Sequence, residues 1–147
     1  MAVKPIPGGF HTITPYLMVK DASGFIDFLK KAFDAKQVSR SDTKDGSIMH
    51  AEVKIGDSII MLTEASDKFP ASNTYLYLYV PDTDSVYKQA LEAGAASEME
   101  PADQFYGDRN AGVKDPFGIT WWIGTHIEDV PPQEMKKREG EYMNKKK

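Results

Sequence analysis

The residues best suited to proton chemistry stand two apart in one string, Met49-His50-Ala51-Glu52. On a strand, positions i and i+2 share a face. His50 and Glu52 therefore read as a proton-transfer pair, as two ligands of an unusual metal site, or as a solvent-facing pair on a half-exposed strand. A second polar string is Tyr106-Gly107-Asp108-Arg109. Arg109 would clamp a carboxylate or phosphate with its planar fork, or tie a loop together through Asp108. The third group is aromatic. Strand alternation puts Tyr75, Tyr77 and Tyr79 on one face, Thr14, Tyr16 and Met18 on one face, and Thr120 and Trp122 on another. Rings with a few hydroxyls suit a planar, partly hydrophobic ligand, or simply fill a small barrel. His126 reads as a local hydrogen-bonding residue that orients the C-terminal helix. His11 precedes the first strand. The chain lacks cysteine, so thiol nucleophiles, disulfides and iron–sulfur clusters are excluded. It also lacks a nucleophile elbow, a P-loop and a dinucleotide-binding glycine string.

These side chains are positioned by a repeat. Tyr16-Leu17-Met18-Val19-Lys20-Asp21 matches Tyr77-Leu78-Tyr79-Val80-Pro81-Asp82 at a shift of 61, and each block ends in an Asp able to cap a helix. Helical spacing follows in both, through Phe25, Phe28, Leu29 and Phe33, then through Val86, Ala90 and Leu91. Ala51-Glu52-Val53-Lys54 matches Ala111-Gly112-Val113-Lys114 at a shift of 60, and the same shift aligns Ile59, Met61 and Leu62 with Ile119, Trp121 and Trp122. Each half thus reads strand, helix, strand, strand, strand. The first half predicts strands near 12–19, 36–43, 46–55 and 58–64 and a helix near 22–34. The second predicts strands near 74–80, 96–101, 107–114 and 118–124 and a helix near 83–93. Gly56-Asp57 and Asp115-Pro116-Phe117-Gly118 carry turn chemistry. Pro131-Pro132 opens a last helix, about 131–143. Residues 1–147 are expected to form one domain, with module one about 11–65 and module two about 74–125.

At 147 residues, with 41% hydrophobic and 27% charged side chains, the composition is that of a globular chain. No apolar run approaches the roughly 18 residues that span a bilayer, and the first residues have no signal-like apolar segment, so a cytoplasmic location is expected. Residues 136–147 hold six Lys/Arg against two Glu, which leaves 12 Lys/Arg against 20 Asp/Glu in the remainder. That acidic body argues against nucleic acid. The basic run, Lys136-Lys137-Arg138 and Lys145-Lys146-Lys147, reads as a solvated terminus.

Two matched βαβββ halves resemble the vicinal oxygen chelate (glyoxalase/bleomycin-resistance/dioxygenase) superfamily over residues 11 to about 138. The strings Met49-His50-Ala51-Glu52, Tyr106-Gly107-Asp108-Arg109, Asp115-Pro116-Phe117-Gly118-Ile119-Thr120-Trp121 and Thr125-His126-Ile127-Glu128-Asp129-Val130 are similar to its PhnB-like branch. The resemblance implies an α+β fold: tandem modules forming an incompletely closed, eight-stranded barrel-like sheet with outer helices, plus a short C-terminal helix. It also implies a homodimer. Metal-dependent members carry His and Glu ligands on the first and last strands of each half. Here those positions fall on Thr14, Leu62, Tyr75 and Trp122, with Glu64 as the nearby carboxylate, and none of the four suits a divalent catalytic ion. The expected function is metal-free binding of a small molecule against Thr14, Tyr16, Tyr75, Tyr77, Tyr106 and Trp122, with Arg109 as anchor. No cofactor and no nucleic-acid or membrane partner is expected. The alternative is a lyase or isomerase with a divalent metal relocated to His50, Glu52 and Glu64. A third reading is a metal-free enzyme with His50 or Glu52 as base.

Overall fold

A computed structural model describes residues 2–145; Lys146 and Lys147 of the basic run lie outside the described residues. The elements are β1 Tyr16–Val19, α1 Ala22–Phe33, β2 Lys36–Asp42, β3 Ile48–Ile55 and β4 Ser58–Glu64, then β5 Thr74–Tyr79, α2 Thr83–Glu92, β6 Ala96–Asp103, β7 Asp108–Lys114, β8 Ile119–His126 and α3 Pro132–Lys145. The repeat is thus two βαβββ modules. Each forms a four-stranded mixed sheet, ordered β1-β4-β3-β2 and β5-β8-β7-β6, with its first and last strands parallel. There is no closed barrel.

Local chemistry explains the boundaries. Asp21 and Asp82 both cap helices, accepting from Gly24 N and Ser85 N. Gly94, at φ +115°, ends the chain's turn out of α2. The first strand starts at Tyr16 rather than near residue 12, because Pro15 has no N–H to give a ladder; its carbonyl still accepts from Met61 N at 2.9 Å. Thr14 therefore lies in the leader that precedes the sheet.

One core joins the modules. The faces of both sheets that carry Leu17, Leu62, Val53, Val113 and Ile123 pack on α1 and α2. Phe33 meets Trp121 at 4.8 Å between centroids, and Phe25 meets Phe117 at 5.4 Å. Asp115 fastens the β7–β8 turn, accepting from Phe117 N, Ile119 N and Trp121 Nε1. The other face of each sheet is free of helices, and there Tyr75 and Tyr79 are 69% and 64% exposed.

The strand register corrects the alignment of the halves. Tyr16 opposes Met61 and Tyr77 opposes Trp122. Glu52 opposes Met61 and Gly112 opposes Trp122. The mate of Trp122 is therefore Met61, not Leu62. The shift returns from 60 to 61 inside the β7–β8 connection, which is one residue longer than the tight Gly56-Asp57 turn. Leu62 is fully buried in the core. Strict alternation from Val53 and Ala51 would put Met49 beneath α1 as well, but it is exposed, because β2 slips against β3 there and Ile48 enters the core instead.

Candidate functional site

The helix-free face of the second sheet is built from rows that run across the strands. One row is Tyr77, Trp122, Gly112 and Met99; the next is Tyr79, Gly124 and Asn110; the last pairs His126 with Asp108. Two glycines make this face unusual. A Cβ on Gly112 would stand 2.7 Å from Trp122 Cζ3 and 3.0 Å from Cε3 and Cη2. A Cβ on Gly124 would stand 2.7 Å from Tyr77 Cε1 and 2.9 Å from Cζ. Neither glycine has a positive φ, so what they supply is space. Each leaves room for an aromatic ring to come down close to the strand where a side chain would otherwise stand. Tyr79 leans on Tyr77 at 4.9 Å.

Beneath the tyrosines lies a polar network centred on Asp108, which is only 5% exposed. Its carboxylate accepts from Tyr77 Oη at 2.7 Å and Tyr79 Oη at 2.8 Å, and pairs with His126 Nδ1 at 3.0 Å. Asn110 Nδ2 donates to Tyr77 Oη and Tyr106 Oη, and its Oδ1 accepts from Gln104 Nε2. Burial pushes Asp108 up, but the bonds from His126, Tyr77 and Tyr79 outweigh it and hold the carboxyl below its ordinary range. Burial also lifts the Tyr77 phenol well above its usual value, with the Asp108 carboxylate adding to it. The bonds to Asp108 and then Asp129 raise His126. At neutral pH both phenols keep their protons and aim them at Asp108, so their outward lone pairs are acceptors. Above this network opens a cleft of about 440 Å³. Its lining includes Tyr77, Trp122, Tyr106 and Asn110 from the sheet and its loop, with Phe105 and Tyr142 at the outer side. Among the described residues, no charged side chain lines it.

The structure divides the expected site residues. Tyr77, Tyr106 and Trp122 meet in this cleft, and Tyr75 stands on the same sheet face one row away. Tyr16 belongs to the other sheet, where its ring meets His50 edge-on at 5.7 Å. His50 Nε2 lies 3.4 Å from Glu52 Oε2, and Glu52 also accepts from Ser39 Oγ. That pair is on the helix-free face of module one. Thr14 lines a separate pocket of about 200 Å³ between the leader and β5. Two expectations fail on geometry. Arg109 faces α2, opposite to Asn110, and its fork is bound bidentately to Asp84 at 2.7 and 2.9 Å and to Asp103 at 3.0 Å; it ties helix to sheet and anchors nothing in the cleft. Glu64 accepts from Asp21 N at 2.8 Å and Ala22 N at 2.9 Å, at the start of α1. It shares the buried face of Leu62 and cannot join His50 and Glu52. Among the described residues no three His, Asp or Glu side chains are grouped to hold a metal ion. His126 does tie the last strand to the segment before α3, through Asp129, but it also reaches the buried Asp108.

Comparison with known proteins places this geometry. Residues 9–123 match the family model of the Glyoxalase/Bleomycin resistance protein/Dioxygenase superfamily. An uncharacterized protein of Mycobacterium bovis is 33% identical over 135 residues, covering 84% of this chain and 89% of that protein. The crystal structure of TioX from Micromonospora sp. ML1 superposes with a TM-score of 0.68 at 23% identity, over 80% of this chain and 99% of that one. TnmS3, an antibiotic binding protein from Streptomyces sp. CB03234, gives 0.64 at 20% identity, over 86% and 98%.

Proposed function

We propose that this chain, which belongs to the glyoxalase/bleomycin resistance protein/dioxygenase superfamily, binds a flat aromatic small molecule by stacking it on Trp122 and Tyr77. The observation that carries the reading is the pair of glycines beneath the rings. Gly112 and Gly124 let both rings settle close against the sheet, and neighbouring rings on an open sheet face suit a planar guest. Tyr106 supplies a hydroxyl in the cleft, and Asn110 and Gln104 supply amides. An antibiotic-binding relative of the same fold is in keeping with this reading. The site works without a metal: the positions where metal-dependent members carry ligands are Thr14, in the leader, and Met61, Tyr75 and Trp122, on strands, and none of these suits a divalent catalytic ion.

We further place the chain in the PhnB-like branch, on the four strings quoted above. We read it as one domain of two modules that acts as a cytoplasmic homodimer. The exposed Tyr75, Tyr79 and Tyr16 are surfaces for a second copy to cover. A second reading rests on the His50–Glu52 pair: Glu52 polarises His50 as a general base on module one's open face, with no metal. The two are separated by titrating 9-aminoacridine, a planar tricyclic probe, into Trp122→Ala and His50→Ala proteins. Binding lost with Trp122 and kept without His50 supports the stacking site. The reverse pattern overturns it.

A further inference from the structure

The C-terminal helix reaches the edge of the aromatic cleft through Tyr142, and it is joined to the body differently from every other element. None of its 14 residues is buried. Its polar attachment to the body runs through Arg138, whose fork binds Glu128 at 2.8 and 2.9 Å and whose Nη1 also donates to the Phe105 carbonyl at 3.0 Å. Within the helix Arg138 also takes Glu134. Four residues on, the Tyr142 ring lies 4.9 Å from Phe105. Phe105 and Tyr142 both line the cleft together with Trp122.

We propose that α3 is a hinged cover on this cleft, latched by Arg138, and that a small molecule reaches Trp122 when the latch opens. The inference rests on the reading of the cleft as the binding site. The root of the hinge is fixed, since Ile127 N and Glu128 N both donate to the Gly107 carbonyl, at 2.8 and 3.1 Å. Gly107 sits at φ +97°, and any side chain there would collide with the Glu128 carbonyl. His126 holds Asp129 from the same side. Beyond this root come Pro131 and Pro132, which have no N–H to donate to the body. A 14-residue helix has marginal stability by itself, and Gly140 in its interior weakens it further. With no buried residue to hold it, the helix leans on the latch and on the contacts of Tyr142, the Phe105 ring among them. Elements with few buried contacts open at the low end of the local stability range. The latch uses half-exposed charges, so salt weakens it.

Acrylamide quenching of tryptophan tests the cover without any ligand. Trp121 is 2% exposed and bonded to Asp115, so the quenchable signal belongs to Trp122. In the full chain, Arg138→Ala is expected to raise the quenching constant by at least about twofold, and to raise hydrogen exchange in residues 133–145 together with it. Arg138→Lys keeps the charge but loses the fork, and falls between. Glu128→Gln, which alters the partner and leaves the helix intact, moves in the same direction. Added KCl raises quenching in the wild type and has little effect in Arg138→Ala. Equal quenching in the wild type and both latch variants overturns the proposal, and so does a salt response that survives in Arg138→Ala. A failure of Trp122→Ala to weaken dye binding overturns the binding site instead, and leaves the quenching result unaffected.

Discussion

Gly112→Ala adds one methyl group where the structure has an indole. The new Cβ would lie 2.7 Å from Trp122 Cζ3 and 3.0 Å from Cε3 and Cη2, whereas carbon atoms rest about 3.5–4.0 Å apart. The indole must lift by about 1 Å or tilt. Overpacking of this kind costs about 1–3 kcal/mol. Alanine returns about 0.4–1 kcal/mol by restricting the unfolded chain, because Gly112 has an ordinary φ that alanine can adopt. The net loss is then about 0–2.6 kcal/mol. At roughly 2–4 °C per kcal/mol for a chain of this size, the melting temperature falls by up to about 10 °C. Binding suffers in addition, because a displaced indole no longer meets the guest where the wild-type ring does. Stacking on an aromatic face is worth about 1–3 kcal/mol, so affinity for 9-aminoacridine falls about tenfold. Thermal melting by circular dichroism and dye titration by Trp fluorescence read the two effects separately. A Gly112→Ala protein with an unchanged melting temperature and unchanged dye affinity would refute the close seating of the indole on Gly112.

Further outcomes follow from the polar groups. His126 has its pKa raised by Asp108 and Asp129. The stabilisation it brings is complete below its ordinary value of about 6.5 and is lost as pH rises through the higher folded value. Melting temperature should therefore decline between pH 6 and 8.5 in the wild type and be flatter there in His126→Gln. Asp108 has its pKa lowered, so its contribution is present above the ordinary carboxyl value of about 3.9 and is lost below it; acid melting in Asp108→Asn should lack that component. Glu64→Ala removes the acceptor of two amides at the start of α1. It should cost about 1–2 kcal/mol in urea denaturation while dye affinity stays constant. Arg109→Ala should lower the melting temperature by unfastening α2 from β6 and β7, again without changing dye affinity; weakened binding would return Arg109 to the site.

Most of the fold is legible in the sequence, because the two halves repeat and their punctuation is local. Asp21 and Asp82 cap helices, and Gly94, Gly56 and Gly118 turn the chain at positive φ. A one-residue register change is harder to read. The blocks around Ala51 and Ala111 align at one shift and the strands after them at another, and only the ladder places the extra residue in the β7–β8 turn. That single step moves the mate of Trp122 from Leu62 to Met61, from the core to the open face. The site was legible in part. Alternation alone brings Tyr75, Tyr77 and Tyr79 together. It also sets Arg109 opposite to Asp108 and Asn110, so the guanidinium faces α2, where Asp84 waits. Asp108 and Asn110 carry no periodic signal, and their role depends on hydroxyls delivered from β5, about 30 residues away in sequence. Gly112 and Gly124 do leave a signal: glycine inside a strand marks a close approach. What approaches them, an indole and a phenol, is set by cross-strand register.

The central claim is that the Trp122–Tyr77 platform selects flat guests. The most direct test compares 9-aminoacridine with 1-aminoadamantane, a cage amine that is also cationic but cannot stack, by calorimetric titration of the wild type and Trp122→Ala. The account predicts that the wild type prefers the planar amine by at least about tenfold, in line with the worth of one stacked face, and that Trp122→Ala loses the preference. Equal affinity for the two amines in the wild type, or a planar preference that persists without Trp122, would contradict it.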